Sequence, residues 1–134
     1  MNAHFPNAGL LFLRLVAGLS LGLAHGLGKI PPSEKFIQGV TSLGFPLPTF
    51  FAWSAGLSEF LGALLIAAGL FTRPAAAFVA ITMGVALFVA HAADPFKSRE
   101  LALLYFTAAG TIFLTGPGAW SLDARLKGLR RRKK

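Results

Sequence analysis

The stretch from Phe50 to Phe71, FFAWSAGLSEFLGALLIAAGLF, runs for 22 residues with one ionisable group, Glu59. As a helix rising about 1.5 Å per residue, it is long enough to cross a hydrocarbon core about 30 Å thick. A carboxylate at such a depth is costly unless it is protonated, paired or hydrated. The stretch therefore says two things. The chain is built for a bilayer, and Glu59 occupies a position that needs a physical reason.

Composition agrees. Of 134 residues, 54% are hydrophobic and 13% charged, and mean hydropathy is +0.64. Soluble domains carry about 25% charged residues. None of the long apolar runs alternates with period two, as a membrane β-barrel requires. The expected fold is all-α: one domain over residues 1–134, an integral membrane four-helix bundle with a short outer interfacial helix between spans one and two. The spans are expected at about 8–27, 50–71, 74–93 and 98–116.

The junctions carry their own chemistry. Pro31-Pro32 ends the first helix region. Ser33 is placed to cap an amphipathic helix over Ser33–Leu43, with Phe36, Ile37, Val40 and Leu43 on one face at the membrane surface. Thr72-Arg73-Pro74 reads as a tight turn, with Pro74 suited to the first helical position. Asp94-Pro95 breaks the chain, Ser98 is the expected cap of span four, and Gly116-Pro117-Gly118 ends it. Met1–Gly9 has no Lys or Arg and Arg14 interrupts the first apolar run, the reverse of a cleaved signal peptide, so the first span is expected to be retained.

Four spans place both termini on one side. That side carries Arg73, Arg125, Lys127, Arg130, Arg131, Arg132, Lys133 and Lys134, and the other carries Lys29, Lys35, Lys97 and Arg99. Eight cations against four predict cytoplasmic termini in a bacterial inner membrane. The formal charge of +8 and pI of ≈ 11.0 are thus read as a topology and anionic-lipid signal of the tail 123–134, not as a nucleic-acid surface. The absence of Cys excludes disulfides, thiolate metal sites and Cys-ligated iron–sulfur clusters, and no metal site is expected.

The remaining polar groups gather in the outer half of the bundle. His25 lies near the outer end of span one, Glu59 at mid-depth in span two, His91 at the end of span three and Glu100 at the start of span four. Arg14, Gly18, Leu21/Gly22 and His25 share a stripe, beside a ridge of Gly18, Gly22 and Gly26 that permits close helix approach. Ala55, Ser58, Glu59 and Gly62 form a small and polar face, and Glu100, Leu104, Thr107 and Thr111 another, and these faces are expected to point inward while Phe, Leu and Ile face lipid. Arg14 either snorkels to the interface or balances Glu59, directly or through water. Each group also has a plainer reading: Glu59 as a helix–helix hydrogen bond, the histidines as interfacial polar residues, Glu100 as a dipole partner, and Trp53, Tyr105 and Trp120 as belt residues. A weak echo pairs Gly18, Ala24 and His25 with Gly84, Ala90 and His91 at a constant offset of 66.

In order along the chain, LLFLRLVAGL, AHGLGK, FAWSAGLSEFLGALLIAAGLFTRPAA, His91, RELALLY and GPGAWSLD resemble the DoxX family of small four-helix membrane proteins. These pieces carry Arg14, His25, Lys29, Glu59, Arg73, Glu100, Tyr105, Trp120 and Asp123. The resemblance implies a membrane subunit of a quinone-linked oxidoreductase system, with a quinone as cofactor and nothing bound covalently. It also implies a soluble or membrane redox partner. Unlike thiol-active relatives, this chain has no Cys, so a thiol relay is unsupported.

On the quinone reading, Glu59, His25 and His91 are the catalytic candidates, supplying protons and hydrogen bonds. Arg14, Trp53, Phe88, Glu100 and Tyr105 are the ligand-binding candidates. The competing reading is a non-catalytic module that binds a lipid-like ligand, moves a proton or small solute, or docks a soluble partner. A third is a b-type haem held by His25 and His91. Membrane lipids are expected partners, and self-association into a homo-oligomer stays open.

Overall fold

Apolar length dictates the frame. The computed structural model describes residues 4–132. Helix α1 covers His4–Lys29, α2 Glu34–Ser42, α3 Pro48–Ala68, α4 Thr72–Ala90, α5 Phe96–Thr115 and α6 Leu122–Arg132. Helices α1, α3 and α4 are long and apolar enough to cross a membrane. Helix α5 is 20 residues long but opens with Lys97, Arg99 and Glu100, which lowers its hydropathy. It completes the bundle as the fourth wall. The protein is an all-helical integral membrane bundle.

Helix α1 packs on α3, α3 on α4, α4 on α5, and α5 back on α1, while α2 lies against the start of α3. The core is made of small and branched residues, Leu21, Ala63, Ile66, Ala75, Ala76, Val79, Met83, Ala109 and Ile112. Small residues let helices approach without a bulky spacer. The expected glycine ridge on α1 does this at Gly26, where any Cβ would collide with the α3 backbone at Glu59 and Phe60. The start of α1 meets the segment between α5 and α6: Asn7 Oδ1 accepts a hydrogen bond from the Ala119 amide at 2.9 Å. That end is called the termini end here, and α2 lies at the far end.

Three transmembrane helices widen into π-helical turns, at Ser20–Gly26 in α1, Ser58–Gly62 in α3 and Ala86–Ala90 in α4. Such turns are uncommon and concentrate at functional sites. The first and third begin 66 residues apart, in register with the sequence echo.

Ser33 caps α2 as expected, its Oγ accepting the Phe36 amide at 3.2 Å. Other junctions shift. Helix α4 begins at Thr72 after Phe71, which is left-handed at φ 46°, so Pro74 stands inside the first turn. Helix α5 begins at Phe96, so Ser98 is already helical and does not cap it. The phase expected for α5 is also corrected. Glu100, Leu104, Thr107 and Thr111 face outward, and Ala109 and Ile112 face the core. A threonine needs no interior partner, because its hydroxyl can bond back along its own helix. Thr107 Oγ1 donates to Leu103 O at 2.8 Å.

Candidate functional site

Glu59 is buried, with 4% of its surface exposed, and it sits on the π turn of α3. Its partner is Lys29, the last residue of α1. Lys29 Nζ lies 2.6 Å from both carboxylate oxygens. Of the two readings open for Arg14, the one in which it balances Glu59 is therefore set aside. Because Gly26 brings the α1 backbone onto α3 at Glu59, Lys29, one turn further on, reaches the carboxylate. The lysine side chain keeps 34% exposure, and its ammonium lies 5.4 Å from the centroid of the Phe36 ring on α2. Cation–π contact and carboxylate thus hold one ammonium from two sides.

This pair forms the polar floor of a groove of ≈ 490 Å³ between α3 and α4, bounded at the far end by α2. The volume is within the range of small-ligand sites, about 300–1,000 Å³. Phe36, Val40, Phe51, Phe78, Ile81 and Val85 are among its apolar walls. Phe50, Phe78 and Ile81 are exposed, so the groove opens sideways toward lipid. Ser54, Thr82 and His91 add hydroxyl and imidazole groups to the lining. Thr82 and Ser58 share a hydrogen bond of 2.8 Å, and Ser58 is completely buried. At the mouth, His91 Nδ1 lies 2.7 Å from Asp94 Oδ2.

The other candidates are distributed differently. His25 does not line the groove; its ring meets Tyr105 edge-on at 5.8 Å across the α1–α5 interface. Tyr105 OH lies 3.1 Å from Ser20 Oγ, and Tyr105 borders a central void of ≈ 10 Å³, not the groove. Phe88 packs edge-on against Phe106 at 6.0 Å and is largely exposed. Trp53 and Glu100 are exposed outside the groove lining. Of the catalytic candidates, Glu59 and His91 share the groove, while His25 belongs to another interface. That separation gives no support to a haem bridging His25 and His91. Among the described residues, no group of three or more His, Asp and Glu is placed to hold a metal ion.

Arg14 is 1% exposed and lies at the opposite end of the bundle. Its Nη2 donates to Trp120 O at 2.6 Å, while Nε and Nη1 have no partner. Gly69 stands against the guanidinium at φ +71°, a backbone region suited to glycine, and a Cβ there would overlap Arg14. Beside it, the Asp123 carboxylate accepts the Phe71 amide at 2.9 Å, the Thr72 amide at 2.9 Å and Thr72 Oγ1 at 2.8 Å. The Asp123 amide donates to Gly69 O at 2.9 Å. Partial burial works to raise the Asp123 pKa. The bonds from the Thr72 amide and hydroxyl and the Phe71 amide, with the charge of Lys127, outweigh it and hold the carboxyl below its ordinary range. Sequence reasoning quoted Asp123 and Trp120 without finding this latch, because four of its five hydrogen bonds involve backbone groups.

The arrangement can be set beside known proteins. The DoxX family model matches residues 9–92. The chain belongs to the DoxX family. Three relatives fit that assignment. Inner membrane protein YphA of Escherichia coli is 33% identical over 129 residues, covering 87% of this chain and 89% of that protein. The uncharacterised membrane protein Rv3486 of Mycobacterium tuberculosis is 33% identical over 135 residues, covering 85% of this chain and 78% of that protein. An uncharacterised protein of Haemophilus influenzae is 32% identical over 122 residues, covering 85% of this chain and 87% of that protein. No solved structure matches the chain. The DoxX match includes all of α2, α3 and α4, and with them Lys29, Glu59, Ser58, Thr82 and His91. Asp123 and Trp120 lie beyond it.

Proposed function

We propose that this DoxX protein takes an uncharged amphiphile of the quinone class from the bilayer into the α3–α4 groove, as a membrane subunit of a quinone-linked oxidoreductase system. One observation carries the reading: the groove is apolar along its walls, opens sideways to lipid and ends on the neutral ion pair Lys29–Glu59. An isoprenoid-like tail suits the walls. A carbonyl head suits the Lys29 ammonium and the Ser54, Thr82 and His91 groups, which can donate hydrogen bonds. Glu59 then serves as the proton-exchanging group and His91 as its companion at the mouth. Electrons come from a soluble or membrane partner. The bilayer is the bacterial inner membrane with both termini in the cytoplasm, a placement supported by the cation count and by the name of the Escherichia coli relative.

The test begins with protein purified from native membrane and mass spectrometry of its bound lipids. Titration with a short-tailed benzoquinone in nanodiscs follows. Ala55 lines the groove, so Ala55→Phe fills it and is expected to weaken binding at least tenfold. Equal affinity in Ala55→Phe, or no enrichment of quinone over bulk membrane, would overturn the reading.

A second reading rests on a different observation. Both Glu59 oxygens are engaged by Lys29, so proton exchange requires the pair to open, whereas simple binding does not. A non-catalytic module for a lipid-like ligand would bind equally well in wild type and Glu59→Gln at every pH and would support no turnover with a redox partner.

A further inference from the structure

Helix α6 continues past the bundle with an uncovered apolar stripe. Leu122, Leu126 and Leu129 recur at i, i+4 and i+7, within about 60° of one another at 100° per residue. All three are exposed. Arg125 flanks the stripe and Lys127 lies on the opposite face, and the sequence continues with Arg130, Arg131, Arg132, Lys133 and Lys134. Lys133 and Lys134 lie outside the described residues. The first turn is fixed. Ser121 Oγ accepts the Ala124 amide at 3.1 Å, and Asp123 is tied to Phe71, Thr72 and Gly69 at the turn joining α3 to α4. That turn marks the termini end of two transmembrane helices. The stripe therefore begins at the level where hydrocarbon meets headgroups, next to the exposed Trp120. An open recess of ≈ 400 Å³ beside the start of this helix is lined by Leu11, Ala68, Trp120, Leu122 and Arg125.

We infer that α6 is a docking helix that lies on the leaflet at the termini end, inserts Leu122, Leu126 and Leu129, and engages anionic lipid headgroups through its cations. Charge and shape together select this occupant. A helix with leucines on one face and cations beside them suits an anionic lipid interface. A nucleic acid would neutralise the cations yet leave the leucines in water. The basic tail alone predicts attraction to a charged surface. The helix adds depth, a defined inserted face and a rigid connection to the α3–α4 turn.

The chain has no cysteine, so single labels report cleanly. Leu126→Cys and Lys127→Cys are made in the full chain, labelled with an environment-sensitive fluorophore and placed in nanodiscs, one protein per disc. Discs of phosphatidylcholine alone are compared with discs containing phosphatidylglycerol, with brominated lipid as quencher. In anionic discs the label at 126 is expected to be quenched at least twofold more than the label at 127. The difference should shrink in neutral discs and in high salt. Equal quenching at the two positions in anionic discs would overturn the proposal. So would a label at 126 that is shielded from water but untouched by brominated lipid, since a protein surface would then be covering the stripe. Wild-type thermal stability of both labelled variants confirms that the fold is intact, as both positions are exposed.

Discussion

Lys29 Nζ is equidistant from the two carboxylate oxygens of Glu59, at 2.6 Å each, although 30 residues separate the pair in the chain. The lysine ends one transmembrane helix and the carboxylate lies inside the next. This pair sets the electrostatics of the groove, and its response to substitution is the most direct check on the site.

Lys29→Met should leave the buried carboxylate unpaired. Breaking a fully buried pair costs about 3–5 kcal/mol. Lys29 is one-third exposed, so a loss of about 1–3 kcal/mol is expected. The double variant Lys29→Met/Glu59→Leu should recover most of it, since neither charge then remains. Thermal midpoints in detergent micelles decide the matter: a double variant no better than Lys29→Met would mean that the charge pair does not control stability.

Gly26→Ala tests the helix contact beneath the pair. The added methyl meets the backbone of Glu59 and Phe60, and overpacking of this kind costs about 1–3 kcal/mol. Gly28→Ala, where a Cβ meets nothing within 4 Å, is the control and should be near neutral. If the two variants melt at the same temperature, α1 and α3 do not touch at Gly26.

Thr82→Val removes the partner of a fully buried hydroxyl, Ser58. A buried hydroxyl left unsatisfied costs about 1–3 kcal/mol. The companion Ser58→Ala/Thr82→Val should restore stability. A single variant as stable as wild type would show that Ser58 finds another partner.

Asp123 predicts a pH dependence. Its carboxyl is held below the ordinary range in the folded protein, so the unfolded chain takes up the proton first as pH falls. The stabilising contribution is therefore complete above about pH 4, the ordinary Asp value, and is lost as pH drops through the lower folded-state value. Asp123→Asn should be less stable than wild type at neutral pH. The two should converge below the folded-state pKa in circular-dichroism melts. A constant gap down to strong acid would remove Asp123 as the titrating latch.

Much of the frame was legible in the sequence, for identifiable reasons. Apolar length located the transmembrane helices, and the single charge in the second run marked Glu59 as inward. The Gly18/Gly22/Gly26 spacing anticipated a close helix approach on α1, and the structure supplies α3 as the partner. Lys29 was counted as an outer-side cation and quoted with the AHGLGK piece, without being joined to Glu59. Its role depends on the register between two helices, and Gly26 sets that register through a backbone contact that no local pattern encodes. Arg14 was read as either snorkelling to the interface or balancing Glu59, because partners for a cation are sought among headgroups and carboxylates. Its observed acceptor is the carbonyl of Trp120, which any residue at that position would offer. The α5 stripe failed because threonine looks polar in sequence while satisfying itself along the helix.

The contact at Gly26 also bears on how fast the groove can work. Where main chain lies on main chain, the gap between Lys29 and Glu59 is set by backbone and not by compressible side chains. A molecule entering from the bilayer has no need to prise α1 and α3 apart, only to redirect an ammonium at the end of a flexible four-carbon stem. Such a rotation breaks one ion pair, whose lysine keeps 34% exposure, and moves no helix. Exchange of the occupant should then follow its supply in the membrane, with no slow gate of the protein's own in the way.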